Sequence, residues 1–184
     1  MSDSNQTNFI SAFLSVLFGV TLMSVLAQTK LDISFLSSDI PSTWQTFAVL
    51  IFAYSTNRWL GSLAVFVYLA LGYFGLPVFA EGASGSAVIF GKTGGYLSGF
   101  LVGAFVVGWL AEKGWATSFT KSLLAMTIGT GIILAIGVSY LASFIGWSAA
   151  FRYGFTPFLI GAAIKIFVGA AFWSFYEWLI KYHE

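Results

Sequence analysis

Residues 9–28 form an apolar run without a single charged side chain. A helix needs about 20 such residues to cross the hydrocarbon core of a bilayer. In hydrocarbon every backbone polar group must find its partner inside the chain, so a run of this kind folds as a helix. Read with its flanking residue as 9–29, it is followed by further apolar runs at 43–56, 59–74, 94–112, 117–145 and 155–181, separated by polar or glycine-rich breaks. The second and third flank Asn57 and Arg58 and are short, which implies either tilt or a very tight turn between them. The pattern predicts an all-α membrane protein, a compact bundle of six transmembrane helices forming a single integral membrane domain over 1–184. Six crossings put both termini on one side.

Charge supports the same class. The 184 residues carry 8 Lys and Arg and 7 Asp and Glu, 8% of the chain, where a soluble domain carries roughly 25%. So few charges cannot coat a soluble domain. A net charge of +1 gives no electrostatic footprint for nucleic acid. There is no cysteine, and the single histidine is His183; no metal site or cofactor is expected. Residues 1–8 hold one charge, Asp3, and no basic stretch, so the first run reads as a retained helix and not a cleaved signal. With cytoplasmic termini, Arg58, Lys113, Lys121 and Lys181 fall inside, against Lys30, Lys92 and Arg152 outside, a small lean in the usual direction.

Within this frame Lys165 is the most informative residue. It lies about ten residues into the last run, roughly 15 Å along the helix axis. A lysine at that depth costs about 2.5–3.5 kcal/mol to insert, so such residues usually face a cavity or a partner. Gly161 and Gly169 flank it one turn away on the same face, leaving room for a ligand or a closely packed helix. A snorkelling or structurally paired lysine is the plainer alternative. Gly95, Gly99 and Gly103 repeat at four-residue spacing, a stripe that lets another backbone approach closely; internal helix packing is the first reading and a subunit interface the second. Ser11, Ser15 and Gly19 repeat the spacing on the first helix, where docking of a partner is as plausible.

Residues 75–93 are too glycine-rich and irregular for a simple connector. Gly91, Lys92 and Thr93 imitate the end of a phosphate-binding loop, but that motif needs a glycine at position 86, where Ser86 stands. Its flanks are membrane helices, and nucleotide binding is rejected. With Glu81, Lys92 and Tyr96, the segment could cap a ligand at the mouth of the bundle, or it could be a solvated loop. An intramembrane enzyme would need an acid–base pair, a nucleophile with a base, or metal ligands in the bilayer, and one lysine supplies none of these.

The runs WQTFAVL (44–50), GYFGLPVFA (72–80) and GKTGGYLSGF (91–100), with their spacing, resemble the BioY family: the biotin-specific substrate-binding subunits, or S components, of energy-coupling factor transporters. The resemblance covers most of the chain. It implies a protein of the cell membrane with six helices, cytoplasmic termini and a biotin pocket open to the outside beneath the first and third interhelical loops. It also implies docking, partly through small residues of helix one, onto a transmembrane coupling subunit driven by two ATPase subunits. Lys165 and Lys92 become candidate partners for the biotin carboxylate or urea oxygen. Tyr96 would pack or hydrogen-bond, with Gln45 and Thr43 near the first outer loop. One departure stands out. The family's last helix carries a motif like Pro-Phe-Leu-Pro-Gly-Asp-x-x-Lys, and here residues 157–165 read PFLIGAAIK, with Ala162 at the acidic position. Glu81 is an acid that could act from another direction, and lipoate or another small carboxylated vitamin is the alternative ligand.

Overall fold

The structure is a computed structural model that describes residues 3–30 and 43–183. Asp32, Asp39 and Pro41 of the first long connection lie outside those residues. Eight α-helices are present among the described residues: α1 (Asp3–Ala27), α2 (Gln45–Ser55), α3 (Arg58–Tyr73), α4 (Ser86–Ile89), α5 (Gly94–Glu112), α6 (Phe119–Ile145), α7 (Trp147–Ala150) and α8 (Phe158–His183). The count corrects the expected six. The two additions, α4 and α7, are single turns inside segments whose glycines and aromatics gave no helical period.

Among the described residues four helices are long and apolar enough to cross a membrane: α1, α5, α6 and α8. The other two fall short because their shared break is real. α2 has 11 residues and α3 has 16, about 17 and 24 Å of helix. α2 sits inside the bundle, with every residue from Ala48 to Tyr54 buried; a helix apolar all round belongs in such a position. α1 is the opposite case, with Phe9 72%, Phe13 59% and Phe18 63% exposed, an apolar face suited to lipid.

The reversal between α2 and α3 is tight because every donor at the start of α3 finds an acceptor. The Asn57 side chain accepts from Trp59 N and Leu60 N, both at 2.9 Å, and its carbonyl accepts from Gly61 N. Arg58 N donates to Glu112 Oε1 at 2.9 Å, from the last turn of α5. The Glu112 carboxylate also pairs with Arg58 Nε at 3.5 Å. The Arg58, Trp59 and Leu60 N–H groups are among those a helix start leaves without intrahelical partners, and Gly61 N makes the first i→i−4 bond of the helix. Glu112→Ala is therefore expected to cost about 1–2 kcal/mol, the lower part of the range for an orphaned donor because the pair is partly exposed. Thermal denaturation in detergent measures it. Glu112→Gln, which still accepts from Arg58 N, should recover part of the loss.

The most extensive helix pairing is α5 on α6. A Cβ at Gly99 would lie 3.1 Å from the Ile133 Cα, and one at Gly103 would lie 3.0 Å from the Ile133 side chain; Gly95 faces Tyr140. The three glycines form the stripe on which α6 rests. Gly19 is buried against the Phe52 ring, joining α1 to α2, while Ser11 is exposed and Ser15 partly so. Chain reversals put the start of α1, the α2–α3 turn and the end of α8 at one end of the bundle. The opposite end gathers the start of α2, the end of α3, residues 74–93 and the start of α8, and it holds the cavity.

Candidate ligand-binding site

The connection from α3 to α5 folds back over the bundle and is pinned in place. Gly85, at φ +89°, turns where a side chain would be strained, and its N–H donates to the Gly72 carbonyl at 2.7 Å. Gln28, at the end of α1, grips the segment from the other side. Its Nε2 donates to Phe79 O and its Oε1 accepts from Gly82 N, both at 2.9 Å. The Phe79 ring is driven inward, 2% exposed, edge-on to Tyr68 at 5.4 Å.

Beneath this lid lies a cavity of about 270 Å³, near the small end of the ligand-pocket range of about 300–1,000 Å³. α2 contributes Phe47 and Leu50, α5 Leu97 and Phe100, α6 Met126, Thr130, Ile133 and Leu134, and α8 Phe158, Ala162, Lys165 and Ile166. All six residues singled out for ligand binding, Thr43, Gln45, Glu81, Lys92, Tyr96 and Lys165, line the same cavity.

Their environments differ. Lys165 is 8% exposed and has no hydrogen-bond or ion-pair partner among the described residues. A buried ammonium in apolar surroundings is costly unless something with a lone pair or negative charge meets it. Ala162, one turn before it and also on the wall, supplies nothing polar. Tyr96 stacks on Phe158 with ring centroids 5.9 Å apart, and its hydroxyl donates to the Gly154 carbonyl at 2.7 Å. Its ring is wall and its hydroxyl is committed elsewhere. Gln45 is 5% exposed; its Nε2 donates to the Tyr68 oxygen at 2.8 Å, and Tyr68 in turn donates to Val78 O at 2.9 Å. The Thr43 hydroxyl oxygen accepts from Gln45 N at 3.3 Å.

Lys92 and Glu81 occupy the rim, both exposed. Glu81 stands in the left-handed backbone region at φ +61° and pairs with Lys30 at 2.6 Å. That pairing engages the acid that could have compensated for Ala162. Thr130 is a wall residue that sequence reasoning missed: it is 6% exposed, and its hydroxyl has no partner among the described residues. Nothing in the sequence separates it from the other threonines of α6. Among the described residues no three His, Cys, Asp or Glu side chains cluster as metal ligands. Among the described residues the site is an apolar, aromatic cavity with one unpartnered cation inside, Lys165, and mixed charge at the mouth.

The family model for the BioY family matches residues 2–181. The biotin transporter BioY of Thermotoga maritima is 45% identical over 132 residues, covering 71% of this chain and 77% of that protein. The biotin transporter BioY2 of Lactococcus lactis is 35% identical, with 82% and 81% covered. The fold superposes on the crystal structure of the S-component for biotin from an ECF-type ABC transporter with a TM-score of 0.78 at 20% identity, covering 95% of this chain and 93% of that one. A family match over nearly the whole chain, together with relatives at this identity and coverage, places the protein in the BioY family.

Proposed function

We propose that this chain is the membrane-embedded substrate-binding subunit for biotin uptake, coupled to an energy-coupling factor module. The observation that carries the reading is Lys165: a buried cation without a partner among the described residues, on the wall of an aromatic cavity of vitamin size. Biotin suits that chemistry. Its fused rings and aliphatic tail are apolar, and its carboxylate and urea oxygen are both acceptors that a lysine can meet.

In this reading α2 and α3 lie in the bilayer with the four longer helices, making six embedded helices. The termini are cytoplasmic, and the cavity opens to the outside of the cell membrane. The role is binding, with no chemical step performed on the ligand. Energy comes from a transmembrane coupling subunit and two ATPase subunits, docked partly against the Ser11 and Ser15 face of α1. The test is titration of detergent-purified protein with biotin, with lipoate as competitor. Saturable, one-to-one binding of biotin that lipoate does not displace is expected; folded protein that binds neither would overturn the reading.

A further inference from the structure

We infer that Tyr68 is a positioning residue that holds the Gln45 amide with its carbonyl oxygen toward the cavity, so that the site selects a ligand presenting an N–H there. This rests on the biotin reading and deepens it. The argument is one of proton direction. The Val78 carbonyl can only accept, and it takes the one proton of the Tyr68 hydroxyl at 2.9 Å. With that proton committed, the Tyr68 oxygen can only accept from Gln45, 2.8 Å away. The group turned toward Tyr68 must be the NH₂ of the amide.

The flipped amide would set two carbonyls competing for a single proton beside Tyr68, which is 0% exposed, leaving empty an acceptor that no ligand can reach. Gln45 Oε1 therefore points away from Tyr68. It has no hydrogen-bond partner among the described residues, while Gln45 is buried except where it borders the cavity. The chain from Val78 through Tyr68 to Gln45 ends as a fixed acceptor on the cavity wall. Tyr68 itself is 0% exposed and does not line the cavity.

A fixed acceptor repels a carboxylate and welcomes a donor. Biotin carries two urea N–H groups and lipoate carries none, so Gln45 distinguishes two ligands that share a carboxylated tail. A site built to hydrogen-bond an N–H discriminates strongly against a ligand lacking it, because the buried acceptor is then left unpaired.

Binding of biotin, and of biotin methylated on both urea nitrogens, is measured for wild type, Tyr68→Phe, Gln45→Leu and the double variant. Tyr68→Phe keeps the ring against Phe79, and its unliganded melting temperature reports that the fold is intact. Its expected effect is about tenfold weaker biotin binding. In the Gln45→Leu background the same change should matter by less than about twofold, since its route to the ligand is gone. The penalty for methylation should shrink in Tyr68→Phe, which a merely structural tyrosine would not cause. That comparison stands even if Gln45→Leu fails to fold. An equal effect of Tyr68→Phe in both backgrounds, or an undiminished methylation penalty, overturns the positioning role while biotin binding stands. Absence of biotin binding by wild type overturns the underlying reading, and the inference with it.

Discussion

Replacing Lys165 with methionine is expected to move two measurements in opposite directions: biotin affinity falls steeply, and the ligand-free protein melts higher. The first effect follows from burial. Removing one partner of a desolvated charged contact costs about 2–5 kcal/mol, much of it the penalty of leaving the other partner unpaired. This corresponds to a loss of roughly 30- to 5,000-fold in affinity. The second follows from the absence of an acid. Lys165 is 8% exposed and has no ion-pair or hydrogen-bond partner among the described residues, so without ligand its ammonium is a desolvated charge that burial penalises. Methionine fills a similar volume without that charge.

Opposite signs separate a binding residue from a structural one. A lysine that braced the bundle would lower both affinity and melting temperature when removed. A snorkelling lysine would change neither by much. Titration with biotin and thermal denaturation of the same unliganded samples supply the two numbers. A fall in melting temperature of the ligand-free variant would remove Lys165 from the site and return it to the scaffold.

The same residue shows what a sequence of this kind exposes and what it conceals. A charge inside an apolar run is visible at once, because hydrocarbon makes it expensive wherever the helix faces. The apolar run that α5 (Gly94–Glu112) occupies is also visible in the sequence, since it begins among glycines and ends at Glu112. Thr130, Met126 and Phe100 carry no such signal. An apolar or hydroxyl side chain on a membrane helix costs little toward lipid, toward a neighbouring helix or toward a cavity. Which face it takes is set by helix rotation, and rotation is set by packing.

Long-range polar pairs were equally hidden. Gln28 closes the apolar run of α1 and reads as an interfacial residue, yet its amide holds Phe79 and Gly82 over the cavity. Glu81 and Lys30 are far apart in the chain and meet at the rim. Ala162 could be read as a missing acid from the motif alone. That Glu81 is already engaged could be learned only from three dimensions.

Gly99→Leu is expected to be strongly damaging although it lies outside the site. Between α5 and α6 the helices approach until backbone meets backbone: a Cβ at Gly99 would sit 3.1 Å from Ile133 Cα and 3.2 Å from Ile133 O. Neither atom can swing aside as a side-chain tip can, so the helices must separate or rotate. In lipid no hydrophobic effect draws them back together, and association depends on close packing. Overpacking typically costs about 1–3 kcal/mol and more where backbone must shift, which predicts the upper end or beyond here. Gly131, also on α6, is the control, because a Cβ there meets nothing within 4 Å. Gly131→Leu should melt close to wild type, while Gly99→Leu melts far lower or is recovered only in small amounts. The damage should reach the cavity as well, since α5 contributes Tyr96, Leu97 and Phe100 and α6 contributes Met126, Thr130 and Ile133 to its walls. A shift between the two helices changes the cavity's width directly, so any folded Gly99→Leu protein should bind biotin more weakly than Gly131→Leu. Equal melting temperatures for the two leucine variants would show that the α5–α6 contact is looser than its geometry indicates.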